Sequence, residues 1–380
     1  MSFNDTVRSI RMRVTPPSSR SFKRVTERLM LQNDEMMARL DVLSRQVSEL
    51  ENRVAVHDMH SRLRQEFLFR KDGESSKDSN RRFFASIPAA SGAKRLMQLA
   101  NAKIMEALHE ICTANNIDYW FAYGTLVATL SRHGFIPWDD DIDLCMMRDD
   151  AFKLYQLMKK NDRYQITLVY DWMGVCKQYR FSMKDSSIPC FVDISIYDWA
   201  TDALRSHDDE IRALRLKLMD EVHSSIRVFS YWKDRLWLFA PDSGFVVQTS
   251  DVDLRTQDPS LTFEQVEIIE RIFSKYQQEA IEKGILCDRE DATAVAYAID
   301  NTYDAPWRRI LWPMDMIFPI RACDFETYHF YIPNDAESVA NECYPGWPYL
   351  PSDILSHDHI SGALLDQPEV LESMRTYLEQ

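Results

Sequence analysis

The stretch GFIPWDDDIDL, residues 134–144, places four carboxylates, Asp139, Asp140, Asp141 and Asp143, within five positions between Trp138 and Leu144. Like charges this close repel one another, and apolar neighbours deny them the screening of water. A chain that folds around the stretch must hold the acids in a solvated turn, a calcium loop or the metal cradle of an enzyme. Strand periodicity helps to separate these. Side chains at i and i+2 share a face, roughly 6.5–7 Å apart, so Asp141 and Asp143 aim at one hard cation while Ile142 and Leu144 face a core. The apolar flanks argue against a solvated turn. An EF-hand loop needs glycine at its sixth position and glutamate at its twelfth, and counted from Asp139 those positions hold Leu144 and Asp150. The calcium loop is excluded.

A further acid, Asp193, stands between Val192 and Ile194 in a predicted buried strand. A buried aspartate without a cation, a metal or a strong donor is costly. Upstream, Gly124-Thr125 follow the apolar run IDYWFAY and open a short helix ending near His133-Gly134. Such a small-residue turn can bring backbone N–H groups to a phosphate. Turn, Asp-x-Asp strand and third strand acid are the set required for in-line transfer from a nucleotide. Asp141, Asp143 and Asp193 hold one or two Mg²⁺ (or Mn²⁺), the metals bridge phosphate oxygens, and a third acid takes the acceptor's proton.

The rest of the body reads as α+β. AKRLMQLANAKIMEALHEICTANN has helical spacing through Leu96, Leu99, Ile104, Leu108 and Ile111, stopped by Asn115-Asn116. DIDLCMM, YQITLVY, CKQYRFSM and CFVDISIYDW read as strands, and DDAFKLYQLMKKN as a helix. Amphipathic helices are expected around 203–224 and 261–283, with short strands and turns over 318–348. A hydrophobic content of 45% with only 9 glycines fits a globular chain. The 7 cysteines include no CxxC pair, which fits a reducing compartment better than a zinc ribbon or a disulfide scaffold. No apolar run approaches the ~18 residues of a membrane span, and residues 1–20 lack an apolar signal region. A cytoplasmic protein is the expectation.

Charge divides the chain. Residues 1–70 carry 13 Lys and Arg against 9 Asp and Glu, leaving 32 against 50 for residues 71–380. So acidic a body excludes a nucleic-acid polymerase, which needs a basic track. Residues 1–28 form a basic flexible arm with 7 basic residues against 2 acids, suited to peripheral contact with an anionic leaflet at the inner face of a membrane. Residues 29–70 are expected to be a coiled-coil helix. Leu29, Met36, Leu43 and Leu50 fall at d, and Asn33, Leu40, Val47 and Val54 at a, the pattern of a parallel two-stranded coil and hence a homodimer through residues 29–54. Residues 71–89 read as a linker, and residues 90–380 as the catalytic domain.

YGTLVATLSRHGFIPWDDDIDL resembles the signature of the LicD/fukutin family, commonly G-T-L-L-G-A-x-R-H-x-G-F-I-P-W-D-D-D-I-D, and from Gly134 to Asp143 the match is close to complete. FVDISIYDW is similar to the family's V-D-I-F-P-L-D, and MIFPIRACDFETYHFYIPNDAESVANECYPGW to its late I-F-P…F-E-G…P…L…Y-G segment. The likeness covers roughly residues 90–360. It implies a nucleotidyltransferase-type mixed sheet with flanking helices, a CDP-linked donor, and transfer of phosphocholine or a phospho-polyol to a hydroxyl of a cell-surface glycan or its lipid-linked precursor. Ala128 replaces the family's second turn glycine. Aligned without a gap, the family's Arg-His pair falls on Ser131 and Arg132, and a one-residue shift restores it as Arg132-His133. Arg132 is the expected phosphate contact, joined by Arg180 and Lys184, which lie where the family carries basic residues. Trp120, Tyr123, Trp138, Trp172 and Tyr179 are either a cage for a choline cation or core.

Other readings use the same residues. A nucleotidyltransferase would move the nucleotidyl group instead, splitting a triphosphate donor on the other side and releasing pyrophosphate. An Asp-x-Asp glycosyltransferase shares the metal pair but needs neither the Gly-Thr turn nor a third strand acid. A coiled-coil scaffold with a relic domain would not need all three acids. Truncation tests the N-terminal reading: removing residues 1–70 is expected to convert a dimer to a monomer in sedimentation, and an unchanged mass contradicts the coil. Removing residues 1–28 should abolish salt-sensitive binding to anionic vesicles; undiminished binding contradicts a membrane role for the arm.

Overall fold

The structure, a computed structural model, describes residues 61, 68–171, 176–226, 245–248, 254–255, 263–301, 309–344, 362–365 and 367–380. The basic arm, the heptad segment 29–54 and Trp172 lie outside the described residues. The chain falls into two compact units, Met1–Ser76 and Lys77–Gln380, and the second contains the sheet.

Within the stretch expected to be a linker, helix α1 (Ser76–Ser86) forms, and its Phe84 is buried with its ring 6.0 Å from that of Trp138. Helix α2 (Gly92–Ala114) ends at Asn115, where the paired asparagines predict a stop. Strand β1 is only Trp120–Phe121, shorter than its apolar run suggests, because Tyr123 turns with φ 44° into helix α3 (Tyr123–Arg132). Strand β2 (Asp143–Met147) runs straight into helix α4 (Arg148–Met158). Strands β3 (Tyr164–Asp171), β4 (Cys176–Met183) and β5 (Phe191–Ala200) follow as the sequence predicts, then helix α5 (Arg205–Ile226). Strands β6 (Phe245–Gln248) and β7 (Leu254–Arg255) precede helix α6 (Phe263–Glu282), strand β8 (Ala294–Tyr297) and strand β9 (Leu311–Pro313). A short helix α7 (Met314–Ile317) leads to the hairpin β10 (Arg321–Phe325) and β11 (Tyr328–Ile332). Helices α8 (Ala336–Cys343), α9 (Gly362–Leu365) and α10 (Pro368–Glu379) complete the chain, and α10 packs against α2.

One mixed sheet runs in the order β1-β2-β5-β4-β3-β6-β7, with β8 paired to β5 and β9 to β8. Mixed α/β architecture with flanking helices is thus what the strand and helix patterns produce. Every residue of β5 except Trp199 is buried, as expected of a strand covered on both faces. The parallel pair β2–β5 sets Asp143 opposite Asp193, and the antiparallel pair β4–β5 sets Arg180 opposite Asp193. Cross-strand partners share a face, so register alone brings these three side chains into one row. Among the described residues no helix is long and apolar enough to cross a membrane. Cys112, Cys145, Cys190, Cys287, Cys323 and Cys343 are free thiols.

Farther along β5 lies a second charge cluster. Arg148 donates from Nε and Nη2 to Asp198 (2.6 and 2.9 Å) and from Nη1 and Nη2 to Asp300 (2.9 and 3.0 Å). Burial opposes the charge of Asp300, but Arg148 and Lys177 outweigh it and hold the carboxyl below its usual range. Lys177 is itself buried and pairs with Glu270 at 2.7 Å, which also accepts from the Tyr170 hydroxyl at 2.5 Å. Arg148 opens α4, the end of a helix that disfavours a cation, and its two carboxylates are what hold it there. Arg148→Met should cost roughly 3–5 kcal/mol in urea unfolding, because it strands two buried acids; a loss under about 1 kcal/mol would mean the acids have other compensation.

Candidate active site

The three acids singled out by pattern converge. Asp141 and Asp193 are buried, Asp143 is half-buried, and one carboxylate oxygen from each lies within 4.8 Å of the others. Asp139 and Asp140 form an overlapping group with Asp141 on the same criterion. Arg180 meets Asp193 as a two-pronged pair, Nε to Oδ1 at 2.7 Å and Nη2 to Oδ2 at 2.9 Å, with its guanidinium carbon 3.7 Å from the Phe191 ring centre. Arg180 therefore offsets one of three clustered charges. A donor set made only of carboxylate oxygens suits a hard divalent cation such as Mg²⁺ or Mn²⁺.

Helix α3 borders this cluster. A Cβ on Gly124, in its first turn, would stand 2.9 Å from Asp139 Oδ2, so the bare glycine admits the carboxylate. That end of a helix favours negative charge. Thr125 is buried, and its hydroxyl accepts from the Asp143 N–H at 2.9 Å, which locks helix to strand at the site. His133 ends α3 as a left-handed cap (φ 55°), its N–H donating to the Thr129 carbonyl. It is a turn residue.

The loop between α3 and β2 is pinned from two sides. From α2, Gln98 Nε2 donates to the Ile136 and Asp139 carbonyls (3.1 and 2.7 Å), and Lys94 Nζ to the Trp138 carbonyl (3.2 Å). From the β10–β11 turn, Glu326 accepts from the Phe135 N–H at 3.1 Å and its own N–H donates to the His133 carbonyl at 2.7 Å. A Cβ on Gly134 would lie 2.6 Å from Glu326 Oε1, so glycine is required for that approach. Arg95 grips both Glu326 oxygens at 2.9 and 2.6 Å. Glu326 has φ 56°, a conformation uncommon for a side chain of its size. Nothing in the loop's own sequence points to these supports. The one sequence signal was Phe325-Glu326 within the late family-like segment.

Residues 116–212 match the family model described as LicD/FKTN/FKRP, nucleotidyltransferase domain. This stretch is a LicD-family domain. The lipopolysaccharide cholinephosphotransferase LicD of Haemophilus influenzae is 30% identical over 116 residues, covering 27% of this chain and 44% of that protein. Uncharacterised proteins of Rickettsia prowazekii and Rickettsia typhi are 35% identical over 77 residues and 39% over 56, covering 20% and 15% of this chain. Those matches span 29% and 18% of the two rickettsial proteins, so the chain spans less than half the length of each of these relatives.

Not every basic residue expected at this LicD-type site is turned to it. Arg132 donates to the Phe84 and Ile87 carbonyls and lies over the Phe84 ring, which ties α3 to α1. Lys184 is exposed beyond the end of β4, four residues or roughly 13 Å of strand past Arg180. Arg180 reaches the acids, with Asp193 as its partner. Of the expected aromatics, Trp120 and Tyr179 are buried, and Tyr123 and Trp138 pack partly buried against the core.

Glu326 carries the next prediction. Burial raises its pKa, but the hydrogen bonds from Arg95 and the Phe135 N–H and the positive charges of Arg95 and Arg132 prevail and hold it below its usual value. A depressed carboxylate stabilises the fold above its unfolded pKa, near 4.3, and that stabilisation is lost as pH falls through the lower folded value. Glu326→Gln should therefore be less stable than the parent at neutral pH by roughly 1–3 kcal/mol, with the gap closing on acidification in urea titrations. A gap independent of pH would show that the carboxylate's charge is not what holds the loop.

Proposed function

We propose that the chain is a metal-dependent transferase that moves a phosphorylated small alcohol, phosphocholine or a phospho-polyol, from a CDP-linked donor to a hydroxyl of a cell-surface glycan or its lipid-linked precursor. The observation that carries this reading is the convergence of Asp141, Asp143 and Asp193 inside the segment that matches the LicD model. The name of the Haemophilus relative supports the head group and the kind of acceptor. A nucleotidyltransferase-type fold over residues 90–380 belongs to the same reading, supported by the β2-β5-β4 core that bears the acids. The reaction would lie on the cytoplasmic side, with residues 1–28 against the inner leaflet and residues 29–54 joining two copies.

Asp141, Asp143 and Asp193 would hold Mg²⁺, or Mn²⁺ in its place, which when bound stabilises charge on the donor's diphosphate oxygens. The chain's own groups supply the rest. Gly124 and Thr125 lie in the first turn of α3, where helix N–H groups favour phosphate. Arg180 orients Asp193 through two of its five N–H donors. The acceptor hydroxyl attacks the phosphorus bearing the alcohol, the bond to the bridging oxygen breaks, and CMP leaves. The hydroxyl proton passes to a carboxylate, for which Asp193 is the candidate.

A panel of cytidine diphosphate donors with Mg²⁺ tests the reading through released CMP. Release of the phosphorylated alcohol from these donors, or of pyrophosphate from CTP, in its place would assign nucleotidyl transfer, turnover of nucleotide sugars alone a glycosyltransferase, and no turnover of any donor a scaffold. Asp143→Asn should abolish release, while the metal-free variant unfolds at the same urea concentration as the parent or higher because a repulsion has been removed. Near-normal turnover by this variant in Mg²⁺ would refute the site.

A further inference from the structure

A side-chain amide stands in the sheet where a backbone hydrogen bond is due. Parallel strands bond in an evenly spaced series at every second residue. At the acidic end of the β2–β5 pair, the Asp193 N–H donates to the Ile142 carbonyl at 2.9 Å. Two residues back, the next bond of that series would join the Phe191 N–H to the Asp140 carbonyl. The Asn101 carboxamide lies between them instead. The Phe191 N–H donates to its Oδ1 at 2.8 Å, and its Nδ2 donates to the Asp140 carbonyl at 2.6 Å.

Asn101 is 1% exposed on α2, one turn from the Gln98 that pins the preceding carbonyls. Its neighbours in the two bonds are informative. Asp140 is adjacent to Asp141, and Phe191 is two residues before Asp193. A direct bond would draw the two backbones to about 2.9 Å between N and O. The interposed amide keeps them a side chain's width apart. The amide does this with both groups satisfied, whereas a carboxylate would accept from Phe191 but not donate to Asp140, and an aliphatic side chain would do neither.

We propose that Asn101 is a positioning residue whose carboxamide, inserted as a rung between Asp140 and Phe191, sets the splay of the two arms that carry Asp141 and Asp193. The width of the acid cradle, and so its fit to a divalent cation, depends on that rung. The proposal rests on the reading of the three acids as a cation site.

Mn²⁺ alone, titrated into the full chain and followed by the electron paramagnetic resonance of the free ion, is the probe. Supporting groups behind metal ligands change affinity by about 10–100-fold when removed, so Asn101→Ala should weaken Mn²⁺ at least about tenfold. Leu108→Ala, a buried cavity variant two turns farther along α2, controls for lost stability and should bind within about twofold of the parent. Where Asn101→Ala fails to fold, Asn101→Ser keeps a hydroxyl for the two backbone groups but shortens the rung, and it too should bind more weakly than Leu108→Ala. Undiminished affinity in the Asn101 variants, or equal weakening in Leu108→Ala, overturns the positioning role and leaves the cation site standing. No Mn²⁺ binding by the parent chain overturns the cation site and the positioning role with it.

Discussion

Repulsion among carboxylates governs this site. Oxygens of Asp141, Asp143 and Asp193 lie within 4.8 Å of one another, and charges that close oppose each other by roughly 3 kcal/mol per pair at a protein's effective dielectric. Left to itself such a cluster would swing apart. The fold denies it that escape. Asp143 and Asp193 are held in register on paired strands, and the backbone ahead of them is fastened by Gln98, Lys94 and Glu326. Glu326 adds no net charge to the neighbourhood, since Arg95 takes both its oxygens. Arg180 and the first turn of α3 ease the repulsion without removing it. Acids fixed this way are preorganised for a cation.

The second cluster explains why the first is not neutralised from within. Arg148 and Lys177 are bound to Asp198, Asp300 and Glu270. Asp198 lies five residues along β5 from Asp193, or roughly 16 Å of strand. Each cation is committed to its own acids. Strand β5 thus carries one acid whose charge belongs to a structural ion network and another whose charge belongs to the site.

Much of the sheet was legible because its strands declare themselves locally. DIDLCMM opens on alternating acids and apolar residues, CFVDISIYDW is a mostly apolar run, and α3 was legible from the Gly-Thr start and the His-Gly stop. The pairing of Asp143 with Asp193 was not, since register between strands 50 residues apart is set by the packed sheet rather than by either segment. Asn101 was invisible for a similar reason, since a polar residue that bonds only to distant backbone leaves no periodic trace, and Glu326 was marked only by the family-like segment that contains it. Gln98 and Asn101 are fully buried, whereas Leu96 and Leu99, which mark the apolar stripe, are only partly so. Arg132 shows the opposite failure. Its motif position suggested a phosphate, but an arginine at the end of α3 beside α1 satisfies two helix-end carbonyls instead.

The central claim is that these acids are held for a cation, and locating one is the direct test. Crystals grown with Mn²⁺ and measured at its absorption edge should give an anomalous peak bounded by Asp141, Asp143 and Asp193. Mn²⁺ found only elsewhere, or three acids that spread apart to bind water in a full excess of the metal, would contradict the account.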